Sequence, residues 1–146
     1  MKLSLGIAGA GIFSRSTHRP VILRHPNLEL TGLYSRTPES MAAFCSELPQ
    51  TLQKTLLRYF EFQDFCNSPT FEAIDLVLPI PAMGEHVRLA LGCGKHIISE
   101  KPVAGSSREA KALLAIWRNT RPNRAWLVWG GGQALAAAVG WGATLQ

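Results

Sequence analysis

The chain has 146 residues, 47% of them hydrophobic and 17% charged, with a net charge of +5. That is enough for one domain with a real core, too short for two ordinary domains, and too apolar for a disordered segment. Ten of the fifteen cations are arginines, and Arg15, Arg19, Arg24, Arg36, Arg58 and Arg88 stand singly, which favours small anionic ligands over a nucleic-acid groove.

At the start, Lys2 and the apolar run Leu3 to Phe13 have the length of a signal-peptide core. Three glycines in that run, and Ser14-Arg15-Ser16 after it, fit a strand and glycine turn better. Leu3 to Ala8 is therefore predicted as the first strand, Gly9-Ala10-Gly11 as the turn, and Ile12 to Arg24 as a helix closed by Pro26. The pattern is G-x-G-x-x-S, with Ser14 where the third glycine of the dinucleotide fingerprint would stand. Gly9 permits the tight turn, and Gly11 lets the backbone approach a pyrophosphate at the positive end of the helix. Ser14 is small enough for helix and strand to pack closely.

A second strand, Leu28 to Tyr34, ends at Ser35-Arg36-Thr37-Pro38. The next helix is expected from Pro38 to Leu48, with Thr37 as N-cap and Glu39 in the first turn. An acid at this strand end would bind a ribose 2′-hydroxyl. Ser35 and Arg36 stand there instead, a hydroxyl and a guanidinium able to grip a 2′-phosphate, so NADP(H) is the preferred cofactor and NAD(H) the second candidate. A solvated arginine at a strand end is the plain alternative.

Residues 49–58 carry little pattern beyond a partial helix from Thr51 to Leu57, and Tyr59 to Phe62 is a candidate third strand. The aromatics Tyr59, Phe60, Phe62, Phe65 and Phe71 have no arginine cluster beside them and are assigned to core packing rather than base stacking. Cys45, Cys66 and Cys93 form no C-x-x-C pair and read as reduced thiols of a cytoplasmic protein.

Ala73 to Pro79 is the fourth strand, apolar enough for burial on both faces, and Pro79-Ile80-Pro81 is the following loop. A helix from Ala82 to Cys93 is expected to carry Glu85 and His86 on its surface. His96 to Glu100 is a short strand that Pro102 must end, because proline cannot donate to a ladder. Glu100 and Lys101 then sit at a strand carboxyl end, where open α/β sheets bind ligands. A lysine there can donate to a substrate oxygen, and a strand-end ion pair is the plain alternative. Ser106 and Glu109 match a capping box opening a helix to about Arg118, with Ala110, Leu113, Leu114 and Trp117 on its apolar face. Ala125 to Trp129 completes six strands of an α/β, doubly wound parallel sheet.

Gly94-Lys95-His96 followed by Glu100-Lys101-Pro102, together with the Gly9-x-Gly11 turn, resembles the signature of the glucose–fructose oxidoreductase/inositol dehydrogenase (Gfo/Idh/MocA) family over residues 3–118. The resemblance implies a Rossmann-like domain and an NAD(P)-dependent oxidoreductase acting on sugars, polyols or their keto forms. It implies that Lys101 contacts the reacting hydroxyl or carbonyl as the catalytic residue. It implies cofactor binding by Gly9, Gly11, Ile12, Phe13, Ser35, Arg36, Pro79, Glu100 and Lys101, with no metal. The implied partners are a dinucleotide, a small-molecule substrate in a full-length relative and a second copy in a homo-oligomer. No nucleic-acid or membrane partner is expected.

Relatives continue from the sixth strand into an antiparallel sheet domain that supplies most of the substrate pocket. Gly130 to Gln146 does not resemble it, and all 22 residues after Arg124 are uncharged. Five glycines argue against a membrane span, and Gly130-Gly131-Gly132 lacks the Lys-Ser/Thr of a phosphate loop. The expected organisation is a dinucleotide-binding domain over residues 1–129 and a Gly/Ala-rich tail over 130–146, without the second domain. Three readings compete: the dinucleotide half of an oxidoreductase, inactive alone; a non-catalytic dinucleotide-sensing module; and a truncated product without function.

Overall fold

The computed structural model describes residues 1–120, 124–130 and 133–137. Strand β1 is Leu3–Ala8, β2 Leu28–Tyr34, β3 Leu57–Tyr59, β4 Ala73–Leu76, β5 His96–Glu100, β6 Trp126–Gly130 and β7 Gln133–Ala137. They form one sheet in the order β3-β2-β1-β4-β5-β6-β7. The first six strands are parallel, and β7 pairs antiparallel with β6. This is the expected doubly wound α/β architecture, and the order reverses between β1 and β4, the place where such sheets open a crevice.

The helices are α1 (Arg19–Arg24), α2 (Pro38–Ser46), α3 (Gln50–Thr55), α4 (Phe62–Asn67), α5 (Ile80–Gly92) and α6 (Ser107–Thr120), with a π-helical turn at Ser14–His18 leading into α1. Strand alternation sorts the core onto two faces. Leu5 and Ile7 of β1 pack with Ile22, Leu30, Met41 and Phe44. Ile74, Leu76 and Ile97 pack on the other face with Phe65, Phe71, Val87, Leu113 and Trp117. Of the five aromatics assigned to the core, Phe60 is the exception, at 47% exposure.

Local chemistry accounts for several element ends. Thr37 caps α2, its Oγ1 accepting from the Ser40 N–H at 3.3 Å. The Ser106 hydroxyl accepts from the Glu109 N–H at 3.2 Å, while the Glu109 carboxylate accepts from the Gly105 N–H at 2.9 Å, one residue further out than a standard capping box. α5 starts at Ile80, ahead of the expected Ala82, because Pro81 is tolerated in a first turn. β3 lies two residues earlier than expected, since Phe62 already opens α4.

The helix expected over residues 12–24 is not regular. The Arg19 N–H bonds to the Ser14 carbonyl, five residues back. Pro20, one residue on, has no N–H and would collide with the carbonyl four residues back in a regular α-helix, so a widened turn relieves it. Of the Gly/Ala-rich tail, residues 133–137 add β7 to the sheet edge, and residues 131–132 and 138–146 lie outside the described residues. Among the described residues no helix is long and apolar enough to cross a membrane.

Candidate functional site

The turn after β1 is held at φ +112° at Gly9, whose N–H donates to the Tyr34 carbonyl at 2.9 Å. Beside it, β4 continues past Leu76 far enough for the Val77 N–H to bond the Ala8 carbonyl at 2.9 Å. The glycine turn is thereby wedged between the carboxyl ends of β2 and β4. Gly11 differs in kind: a Cβ built there meets nothing within 4 Å, so its side-chain direction faces open space. Gly11 also lines a cleft of about 190 Å³, together with Gly9, Ser35, Arg36, Thr37, Ser40 and Pro79 among others. A larger hollow of about 270 Å³, among Ile22, Leu28, Glu29 and Leu52, lies away from the strand carboxyl ends.

Two of the strand-end residues play different parts. Ser35 is buried, and its hydroxyl donates to the Thr37 carbonyl at 3.1 Å while accepting from the Thr37 N–H, closing the turn. Arg36 is exposed and makes no ion pair among the described residues. The other arginines of this region are already engaged. Arg19 is buried, donates to the Phe44 carbonyl at 3.0 Å and pairs with Glu47, which also takes Arg15 at 3.3 Å. The hydrogen bond from Arg19 holds the Glu47 carboxyl below its ordinary range, with burial opposing. Of the singly placed arginines, Arg36 is therefore the one that lines the cleft.

On the far side of β4, β5 ends at Glu100 and Lys101. Lys101 is exposed and has no ion-pair partner among the described residues, and its peptide to Pro102 is cis. Glu100 turns to the glycine-loop helix: its Oε1 lies 2.8 Å from His18 Nε2, and His18 Nδ1 lies 2.7 Å from Asp75 Oδ2. Burial pulls the His18 imidazole down, but hydrogen bonds and charge from Asp75 and Glu100 outweigh it and leave its pKa above the ordinary value. Phe13 presents to His18 edge to face at 5.2 Å between centroids, and Ile12 is 76% exposed at the start of the same helix. Gly9, Gly11, Ser35, Arg36 and Pro79 thus share the cleft, while Ile12, Phe13, Glu100 and Lys101 stand outside its lining.

The rest of the Gly-Lys-His stretch knits the fold. Lys95 Nζ donates to the carbonyls of Ser68 and Phe71 and sits 4.8 Å from the Phe71 ring centroid. His96 Nδ1 accepts from the Ala125 N–H at 3.0 Å, and burial, with Arg124 adding to it, holds its pKa down. His86, expected on a helix surface, is half-buried instead: it packs edge-on to Phe62 at 4.4 Å and its Nδ1 contacts the Ala82 carbonyl. His18 and Asp75 are absent from the sequence-based set of site residues. The one available signal was Asp75 itself, a lone acid within a strand apolar enough to be buried, which must find a partner. Among the described residues no cluster of side chains fits a metal ion.

Residues 3–122 match the model of the oxidoreductase family with an NAD-binding Rossmann fold, GFO_IDH_MocA. The chain belongs to this family. It is 28% identical over 121 residues to the uncharacterized protein YMR315W of Saccharomyces cerevisiae, covering 81% of this chain and 33% of that one. Its fold superposes on KijD10, a 3-ketoreductase from Actinomadura kijaniata in complex with NADP, with a TM-score of 0.75 at 19% identity, over 88% of this chain and 37% of that one. Scyllo-inositol dehydrogenase from Lactobacillus casei, with bound NAD(H) and scyllo-inositol, gives 0.76 at 18% identity, over 88% of this chain and 36% of that one. The chain thus spans about a third of the length of these relatives, and that third carries the family's NAD(P)-binding domain.

Proposed function

We propose that this domain binds NADP(H) in an oxidoreductase acting on a sugar, a polyol or a related carbonyl or hydroxyl compound, with Lys101 at the reacting oxygen. The observation that carries the reading is the one cleft lined by both Gly11, where a Cβ would meet nothing, and the unpaired Arg36. Backbone N–H groups after the glycine turn suit a pyrophosphate. Arg36 supplies charge-assisted donors for a 2′-phosphate, and the hydroxyls of Thr37 and Ser40 line the same wall. With the Ser35 hydroxyl closing its own turn, Arg36 carries most of that discrimination. Bound NADP(H) would supply the hydride donor or acceptor. Lys101, an ammonium without a carboxylate partner at the end of β5, would donate to the substrate oxygen as its charge develops. One solved relative is named with NADP and the other with NAD(H) and scyllo-inositol, which supports a nicotinamide dinucleotide and a polyol-type substrate, while the preference for NADP(H) rests on Arg36.

Fluorescence titration of the purified chain with NADPH and NADH tests it. NADPH should bind at least tenfold more tightly, and Arg36→Asp should abolish that preference by replacing attraction with repulsion. Equal affinity in the wild type, or a preference for NADH, would overturn the assignment of Arg36.

A further inference from the structure

A single side chain joins the glycine-loop helix to the strand that ends in Glu100-Lys101. His18 closes the π-helical turn, and its two ring nitrogens lie 2.7 and 2.8 Å from carboxylate oxygens of Asp75 and Glu100. The side chains of His18, Asp75 and Glu100 are 9%, 3% and 16% exposed, so water screens these contacts little. Asp75 lies on β4 and Glu100 on β5, and both meet the helix from the same side of the sheet.

The proton count follows from the distances. Two lone pairs cannot face each other at such separations, so each nitrogen–oxygen contact must hold a proton. A neutral imidazole has one N–H. The three groups together therefore hold two protons, which an imidazolium between two carboxylates satisfies most simply. The titratable groups facing His18 are Asp75 from β4 and Glu100 from β5, while Arg15 and Arg19 of its own helix turn away to Glu47.

We propose that His18 is a positioning residue of the dinucleotide site: a doubly protonated link that fixes the helix entered from the Gly11 turn against the strand end carrying Lys101. The role rests on the reading of the cleft as a dinucleotide site. Loss of one proton from the cluster sets a nitrogen lone pair against a carboxylate, and one of the two contacts opens. The phosphate-binding turn and the Lys101 end of the site then lose their fixed spacing, and dinucleotide affinity falls with it.

The test combines two measurements on the full chain between pH 6 and pH 9.5. Long-range ¹H–¹⁵N correlation spectra report the protonation of both His18 nitrogens. Titration with NADH in parallel gives affinity without the 2′-phosphate, whose own second ionisation at about pH 6 would confuse NADPH data. We expect both His18 nitrogens to be protonated at pH 7, and NADH affinity to fall at least fivefold as His18 titrates. His18→Gln, which reaches one carboxylate as donor but not both, should bind weakly at every pH. Asp75→Asn should bind with a flat profile over the same range, because an amide N–H can donate to Nδ1 while neutral Nε2–H donates to Glu100. That variant also guards against a His18→Gln protein that merely fails to fold. Binding that stays constant through the wild-type His18 titration, or a singly protonated His18 at pH 7, would overturn the positioning role and leave the dinucleotide reading intact. A folded wild type that binds neither NADH nor NADPH would remove the dinucleotide reading and the positioning role together.

Discussion

A Cβ on Gly9 would stand 2.1 Å from the carbonyl oxygen of Val77, and Gly9 also holds φ +112°. Both facts exclude a side chain, one by contact with backbone that cannot swing away, the other by backbone strain. Gly9→Ala should therefore cost roughly 3 kcal/mol in urea unfolding and should weaken dinucleotide binding as the turn is pushed out of place.

Gly11 separates binding from folding. Its side-chain direction is open, so Gly11→Val should change stability by less than about 1 kcal/mol. The same valine would occupy the space a pyrophosphate needs, and binding of NADPH should be lost in a titration. Normal binding by this variant would put the phosphate site elsewhere.

His18 makes stability depend on pH with a definite sign. Its pKa is raised in the folded state, so its contribution is complete below the unfolded value of about 6.5 and is lost as pH rises through the folded value. Urea unfolding at pH 6 and at pH 9 should show the difference between wild type and His18→Gln narrowing at the higher pH. At pH 6 that difference should approach about 3 kcal/mol, since the variant leaves buried carboxylates without their cation.

Lys95 should behave as an architectural residue. Lys95→Met removes donors from the carbonyls of Ser68 and Phe71 and should lower stability by about 2 kcal/mol, read as a lower midpoint of thermal unfolding.

The thiols should react in order of access. Cys93 is half-buried, Cys45 and Cys66 are buried, and burial, reinforced by the neighbouring Cys93, pushes the Cys66 thiol well up. Timed alkylation followed by mass spectrometry should label Cys93 first, with Cys66 modified only on unfolding. Early labelling of Cys66 would show that the α4–α5 contact opens readily.

What the sequence determined by itself was local. The strand–Gly-x-Gly–helix order, the Thr37 cap, the Ser106 and Glu109 pair and the proline that ends β5 each depend on neighbours within a few residues, so their chemistry is written in short windows. Alternating strands and helices then restrict a chain to an α/β fold with a parallel sheet, because parallel strands need crossovers. Tertiary structure alone decided the partners of the charged side chains. His18 meets Asp75 and Glu100 across 57 and 82 residues of sequence, and Arg19 meets Glu47 across 28. A buried acid in an apolar strand announces that it needs a partner but not which one, and no hydrophobic period reports a pairing that exists only once the sheet has closed. The same holds for β7, whose Gln133-Ala134-Leu135-Ala136-Ala137 sequence has no β-branched or aromatic residue and which is a strand through its pairing with β6 at the sheet edge.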